Sequence, residues 1–356
     1  MAGKMKAIAK MRPEPGLELV EWDIPVPDHH EVLVKVKAAA ICGTDLHIYN
    51  WDQWSASRIH PPMVTGHEFC GEVVEVGDEV TLCKVGDFVS AESHIYCGVC
   101  PVCRNGQPHV CANLKILGID TQGAFAEYAC IPESIAWKND PSLDPKMAAI
   151  LEPLGNAVYA VLAEPIAGRS VCIIGDGPAG LSAVAVAKAA GAAKIFHIGM
   201  IPFRMAIGKQ LGADVCLNIN EHSDCVTNIL DETSGFGVDV VVEMTGSEKG
   251  ISDGLRALRK GGRYSAFGLP SGRVSVDFND GIIFKGARLL GINGRLLWET
   301  WNQMAGLLGS GALDPRPVVT HTIALEDFDS GFKAMNSVER TVGKVVMFPD
   351  PRDIQK

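Results

Sequence analysis

Apolar and polar positions along the chain fall into two textures. Up to about residue 156 short β-like runs dominate. Val32–Val36 alternates, Gly71–Val76 and Phe88–Ala91 are further apolar runs, and glycine and proline punctuate the intervals. This pattern predicts a mostly-β domain over residues 1–156. Beyond it, continuous apolar runs occur at Ser170–Ile174, Lys194–Ile198, Val238–Met244, Arg263–Gly268 and Leu289–Ile292, separated by helix-like stretches such as Ala179–Ala190 and Ile251–Leu258. Strands that are apolar throughout and alternate with helices predict an α/β domain over 157–297, a doubly wound parallel sheet covered on both faces. The remaining segment, 298–356, contains a helical stretch (Glu299–Leu308) and a strand-like run (Lys344–Phe348), and is read as returning to the first domain.

Bulk properties agree with two ordinary globular domains. The length of 356 residues suggests two units at roughly 150 residues each. Hydrophobic residues make up 47% and charged residues 21%, which leaves no room for extensive disorder. A net charge of −10 without a Lys/Arg cluster argues against nucleic acid and anionic membrane as partners. The N-terminal MAGKMKAIAKM lacks the apolar stretch of a signal peptide. Segments such as Leu181–Ala193 fall short of the ~18 apolar residues of a membrane span, so a cytoplasmic location is expected. Eleven cysteines, an odd number and partly clustered, suit metal binding in a reducing compartment better than a disulfide scaffold.

Four of these cysteines, Cys97, Cys100, Cys103 and Cys111, form Cys-x2-Cys-x2-Cys-x7-Cys. Four thiolates on one loop can close a tetrahedral zinc site with no open position, which makes a structural lobe over about residues 92–115 and not a catalytic centre. An iron–sulfur cluster also takes four cysteines, and four unrelated buried cysteines are the bland alternative. The other cysteines, Cys70, Cys83, Cys130, Cys172, Cys216 and Cys225 among them, are isolated and read as small core residues. A second constellation comprises Cys42, His67 and Glu68, with Glu152 in Glu-Pro-Leu-Gly-Asn as a further carboxylate. Thiolate, imidazole and carboxylate are the donors of a catalytic zinc with one position open. By spacing alone, though, a His-Glu pair is more often a surface or satisfied core pair.

Val171-Cys-Ile-Ile174 leads into Gly175-Asp-Gly-Pro-Ala-Gly180, a Gly-x-Gly-x-x-Gly turn between strand and helix. It marks a dinucleotide-binding domain of the Rossmann type: Gly175 for the tight turn, Gly177 for approach of the pyrophosphate, Gly180 for close helix–strand packing. An acid is expected about 20 residues on to hold the ribose hydroxyls. The run His197-Ile-Gly-Met-Ile-Pro-Phe-Arg204 offers none.

The strings Ala40-Ile-Cys-Gly-Thr-Asp-Leu-His47 and Gly66-His-Glu68 resemble the zinc signature of the medium-chain, zinc-dependent alcohol dehydrogenases. Residues Ile41 to Trp54, Glu152 to Val158, Gly294-Arg295 and Trp298-Glu-Thr-Trp301 are similar to its threonine dehydrogenase branch, and the likeness runs through nearly the whole chain. The resemblance implies a GroES-like catalytic domain joined to the Rossmann domain, two zinc ions per chain and a homotetramer. Cys42, His67 and Glu68 would then carry the catalytic zinc, with Glu152 as alternate ligand or proton-handling carboxylate. Thr44 and His47 would relay the proton. Ala179, Phe267, Gly268, Leu269, Ile292 and Asn293 would contact the cofactor. Gly199 takes the place of the acidic residue and Arg204 a place in the ribose pocket, where it either pairs with a 2′-phosphate or merely lines the adenosine site, so NAD and NADP both stay open. The implied reaction is oxidation of a small secondary alcohol by hydride transfer, L-threonine to 2-amino-3-oxobutanoate. A sorbitol- or inositol-type polyol dehydrogenase, or one for another secondary alcohol, with NADP preference is the rival enzyme, and a non-catalytic binding protein on the same fold the rival class. His94 matches a substrate-side position or else supports the four-cysteine lobe. Arg295 is either a partner for a substrate carboxylate or a solvated loop cation.

Overall fold

The computed structural model describes residues 3–354; the first two residues of the basic N-terminal segment lie outside them. The chain divides into two compact units, one running to Pro153 and resuming at Val319, the other spanning Leu154–Val318. The return thus falls at Val319, later than the 298 expected from the sequence. The intervening helix Glu299–Gly309 stays with the second unit because its first turn packs there: Thr300 lies against Gly155, and the Arg295 stem ahead of it presses on the same glycine. Trp301 is fully buried, with its ring tilted against Trp298.

In the first unit a seven-stranded sheet runs in the order Ala136–Lys138, Phe88–Ala91, Glu68–Val76, Glu31–Ala40, Lys344–Phe348 and Val319–Ala324, with Tyr128–Pro132 also paired to Glu31–Ala40. A small sheet of Lys4–Lys10, Glu18–Asp23 and Met63–Val64 completes it. Val34, Val36, Phe69, Val89, Ile131, Val345 and Met347 lie in one core cluster. The strand Lys344–Phe348 is buried at every position, as befits an interior strand covered on both faces. Ala40 pairs with Glu68 on one side and Val346 on the other. Three strands distant in sequence are thereby brought level at the point where the chemistry-bearing residues lie.

The second unit is a six-stranded parallel sheet in the order Val215–Asn218, Lys194–Gly199, Ser170–Ile174, Val238–Glu243, Leu258–Ala266 and Arg288–Gly291. This is the doubly wound arrangement, in which ligands bind beyond the carboxyl ends of the strands where the order reverses, here between Ser170–Ile174 and Val238–Glu243. Cys172, Ile174, Phe196, Ile198, Val241 and Leu255 share its core. No described helix is long and apolar enough to cross a membrane.

Trp301→Ala removes a fully buried ring, and truncations of this kind cost about 3–5 kcal/mol. The expected outcome is a lowered denaturation midpoint, read by chemical unfolding of the two proteins side by side.

Candidate active site

Each residue of the Cys42 constellation is positioned by a local device. Cys42 lies two residues past the strand Glu31–Ala40 and is the N-cap of the helix Gly43–Asn50. Its backbone N–H donates to Asp45 Oδ2 at 2.8 Å, a capping-box contact that fixes the first turn. His67 and Glu68 follow Gly66, whose φ of +91° places it in the left-handed region. A Cβ there would also lie 2.2 Å from Phe125, so glycine is required on both counts. The result is that one donor atom each of Cys42, His67 and Glu68 lies within 4.8 Å of the others. That convergence of thiol, imidazole and carboxylate fits a divalent zinc ion, leaving room for a fourth ligand.

Two further groups that the sequence reading did not single out surround this point. Asp45 is fully buried, with Oδ1 3.7 Å from His67 Nδ1, a carboxylate close enough to act on the imidazole through its charge. Burial by itself would lower the His67 pKa, but the Asp45 carboxylate and the Cys42 thiolate override it and raise it to about 10. The same negative surroundings favour a metal cation, which competes with that proton for the ring. Lys344 is the second group. Its Nζ donates to Glu68 Oε1 at 2.7 Å and to the Ile41 carbonyl at 3.1 Å, and both side chains are buried. Burial disfavours the ammonium, yet the Glu68 carboxylate outweighs it and raises the Lys344 pKa.

The other first-unit candidates lie nearby. Thr44 Oγ1 is 3.8 Å from Cys42 Sγ. His47 is exposed, its Nδ1 2.5 Å from Asp52 Oδ2. Glu152, at the start of the helix Leu151–Leu162, accepts a hydrogen bond of 2.6 Å from Ser93 Oγ and stands close enough to raise the His67 pKa further. It does not belong to the group that meets at one point. His94 is buried, with Nδ1 3.0 Å from the carbonyl of His109, inside the four-cysteine segment, so this ring nitrogen braces that lobe.

The four cysteines converge as a unit, all four sulfurs within 4.8 Å of one another. Cys97 and Cys111 sulfurs are 3.5 Å apart and those of Cys100 and Cys111 3.9 Å. Bonds of 2.3 Å to a central zinc imply tetrahedron edges of about 3.8 Å, so the observed spacings match a single ion. They are too short for sulfurs on the four separate irons of a cluster, and unrelated core cysteines would not converge. Backbone N–H groups donate to these sulfurs, from Cys97 to Cys111, Cys100 to Cys97 and Cys103 to Cys100, which favours thiolates. The amides of Val99 and Cys100 hold the Cys97 pKa down to about 6.

In the second unit Gly175 has φ +121°, Gly177 caps the helix Pro178–Ala189, and a Cβ on Gly180 would lie 2.0 Å from the Gly175 carbonyl oxygen. These are the three demands of the dinucleotide turn. Ala179 lies in the first turn of that helix. Phe267, Gly268 and Leu269 leave the strand Leu258–Ala266, with the Phe267 and Gly268 N–H groups donating to the Glu243 carbonyl. Ile292 and Asn293 follow Arg288–Gly291, and Ile292 N–H donates to Ala266. Gly199 ends its strand and Arg204 lies in the following helix Pro202–Gln210. Arg295 is not a solvated loop cation. It is 1% exposed, and its guanidinium donates to Asn156 Oδ1 at 2.8 Å, because the helix carrying Gly155 leaves space for its stem.

Lys344→Met removes one partner of a buried ion pair and leaves the buried Glu68 carboxylate without that counter-charge, beside the like charge of Glu152. Such losses cost about 3–5 kcal/mol, so the variant is expected to unfold at markedly lower denaturant than the parent.

Comparison with known proteins agrees with this geometry. Residues 28–141 match the alcohol dehydrogenase GroES-like domain and residues 178–310 the zinc-binding dehydrogenase domain. The chain is 50% identical to the L-threonine 3-dehydrogenase of Pyrococcus abyssi over 97% of this chain and 99% of that one. A structure from Sinorhizobium meliloti 1021 bound to NADP superposes with a TM-score of 0.89 at 30% identity, covering 98% of this chain and all of the other. An alcohol dehydrogenase from Escherichia coli CFT073 complexed with NADH gives 0.88 at 27%, covering 97% and 99%. With both halves matched in order and the donor sets assembled, the chain belongs to the medium-chain, zinc-dependent alcohol dehydrogenase family.

Proposed function

We propose that this enzyme oxidises L-threonine at its secondary hydroxyl to 2-amino-3-oxobutanoate, with NAD(P) taking up the hydride and one proton released to water. The observation that carries the reading is the convergence of Cys42, His67 and Glu68 on one point, in a chain half identical to L-threonine 3-dehydrogenases along its length. When bound, zinc supplies Lewis acidity that lowers the pKa of the substrate hydroxyl, and the nicotinamide supplies the hydride acceptor.

The protein's own groups bind, orient and move the proton. Cys42, His67 and Glu68 would hold the catalytic ion, with the Asp45 carboxylate beside His67. Lys344 holds Glu68 by its carboxylate, so this ligand has an alternative partner within the fold. Thr44 Oγ1, beside Cys42, takes the substrate proton as it gives up its own hydroxyl proton in the direction of solvent. His47, exposed and tied by Asp52, passes it to solvent, a task suited to an imidazole. Glu152, fixed by Ser93, is the second carboxylate at the centre. Cys97, Cys100, Cys103 and Cys111 would hold a second, structural zinc. The working form is a cytoplasmic homotetramer acting on a small-molecule alcohol.

Metal analysis of the purified enzyme is expected to give two zinc ions per chain, falling to one in Cys103→Ser. Cys42→Ser is expected to remove threonine turnover while circular dichroism stays that of the parent. Retention of the parental rate in Cys42→Ser would refute the metal assignment. A panel of threonine, 2,3-butanediol and sugar alcohols separates the substrate from its rivals, and faster turnover of a polyol would overturn threonine.

A further inference from the structure

The second strand of the dinucleotide domain ends in Gly199 where an acid would ordinarily hold the ribose hydroxyls. The structure gives a steric reason. A Cβ on Gly199 would lie 2.2 Å from Met205 Sδ, 2.8 Å from Asp176 Cβ and 2.9 Å from Asp176 Oδ2. A side chain there would collide with those of both Met205 and Asp176. Asp176 is the second residue of the glycine-rich turn, so a carboxylate reaches the strand end from the neighbouring loop instead of from the strand itself.

Its contacts are specific. Asp176 Oδ2 accepts hydrogen bonds from the backbone N–H groups of Met200 at 2.8 Å and Ile201 at 2.7 Å. Ile201 is the N-cap of the helix Pro202–Gln210, so these amides, at the positive end of a helix dipole, point at an anion. A cavity of about 180 Å³ adjoins the carboxylate, lined by Gly175, Asp176, Gly199, Met200, Ile219 and Thr245 among others. It lies beyond the carboxyl ends of Ser170–Ile174 and Lys194–Gly199, where the adenosine half of a dinucleotide binds in this architecture.

We propose that Asp176 is the specificity-determining residue of this pocket, supplying the ribose-holding carboxylate that the strand end lacks and committing the enzyme to NAD over NADP. The inference rests on the dinucleotide-binding reading above and decides a question which that reading leaves open. Both described hydrogen bonds to Asp176 fall on Oδ2, which leaves Oδ1 as acceptor for a ribose hydroxyl. A 2′-phosphate would need the very amide donors that Asp176 occupies, and it would meet a fixed negative charge, a juxtaposition that specific sites use to reject the wrong partner. Arg204 lies in the first turn of the same helix and is not among the residues that line the cavity.

The test is fluorescence titration of the zinc-loaded protein with NADH and NADPH, for the parent, Asp176→Asn and Asp176→Ala, with thermal midpoint and zinc content as folding controls. Asn keeps the shape and removes the charge, so it remains informative should Ala fail to fold. The parent is expected to bind NADH at least ~100-fold more tightly than NADPH, with Asp176→Asn cutting that ratio at least ~10-fold, chiefly by improving NADPH binding. Equal affinity of the parent for the two, or a loss in Asp176→Asn that is the same for both, overturns the proposal. Binding of neither by the parent overturns it together with the dinucleotide reading. The expected ratios in a protein that fails to oxidise threonine uphold Asp176 and refute only the substrate.

Discussion

A charge taken out of water must find its counter-charge within the fold, and here that requirement joins Glu68 to Lys344. Both side chains are buried, and neither would stay ionised alone. The lysine lies on the last strand of the chain, the glutamate on a strand formed more than two hundred residues earlier, and the sheet register that sets Ala40 between Glu68 and Val346 makes the pair possible. The first unit is therefore not finished until its C-terminal segment returns. Around the same pair, Asp45 stands beside His67 and Ser93 restrains Glu152. Glu68 and Glu152 at this centre are each restrained by another side chain of the fold.

The dinucleotide unit follows a different rule. Its central strands are largely apolar and buried, and its chemistry collects in the turns beyond their carboxyl ends, where backbone amides left over by helices and loops point outward. Gly175, Gly177 and Gly180 keep the backbone bare on one turn. At the next, Gly199 is bare for another reason, since the side chains of Met205 and Asp176 occupy its space. An acid missing from one element is thus present on its neighbour, and the two amides at the helix start are satisfied by it.

Much of this was legible in the residues. Ser170–Ile174, Phe88–Ala91 and Lys344–Phe348 were read with the bounds they have, because continuous apolar runs between glycines or charges are strong local signals. The four-cysteine lobe was legible because its ligands share one short segment, so spacing nearly determines geometry. Strands Lys4–Lys10 and Glu18–Asp23 were not singled out; charged residues interrupt them, and they exist by pairing with each other and with Met63–Val64. The boundary at Val319 also escaped, since a helix carries no mark of which core will bury it. His94 and Arg295 were left with two readings each. Both lie buried, held by a backbone carbonyl and by Asn156, partners that a linear pattern does not reveal.

By itself, the sequence determined the class of architecture, the donor types available for metal and the turn that receives a dinucleotide, because each rests on residues close together in the chain, where local geometry is nearly forced. Only the tertiary structure decided which of those donors meet, that Lys344 and Asp45 support them, and that Asp176 stands in for the acid at Gly199. These outcomes depend on register, on burial and on which side chain reaches a space first, and such quantities exist only once distant segments have been packed together.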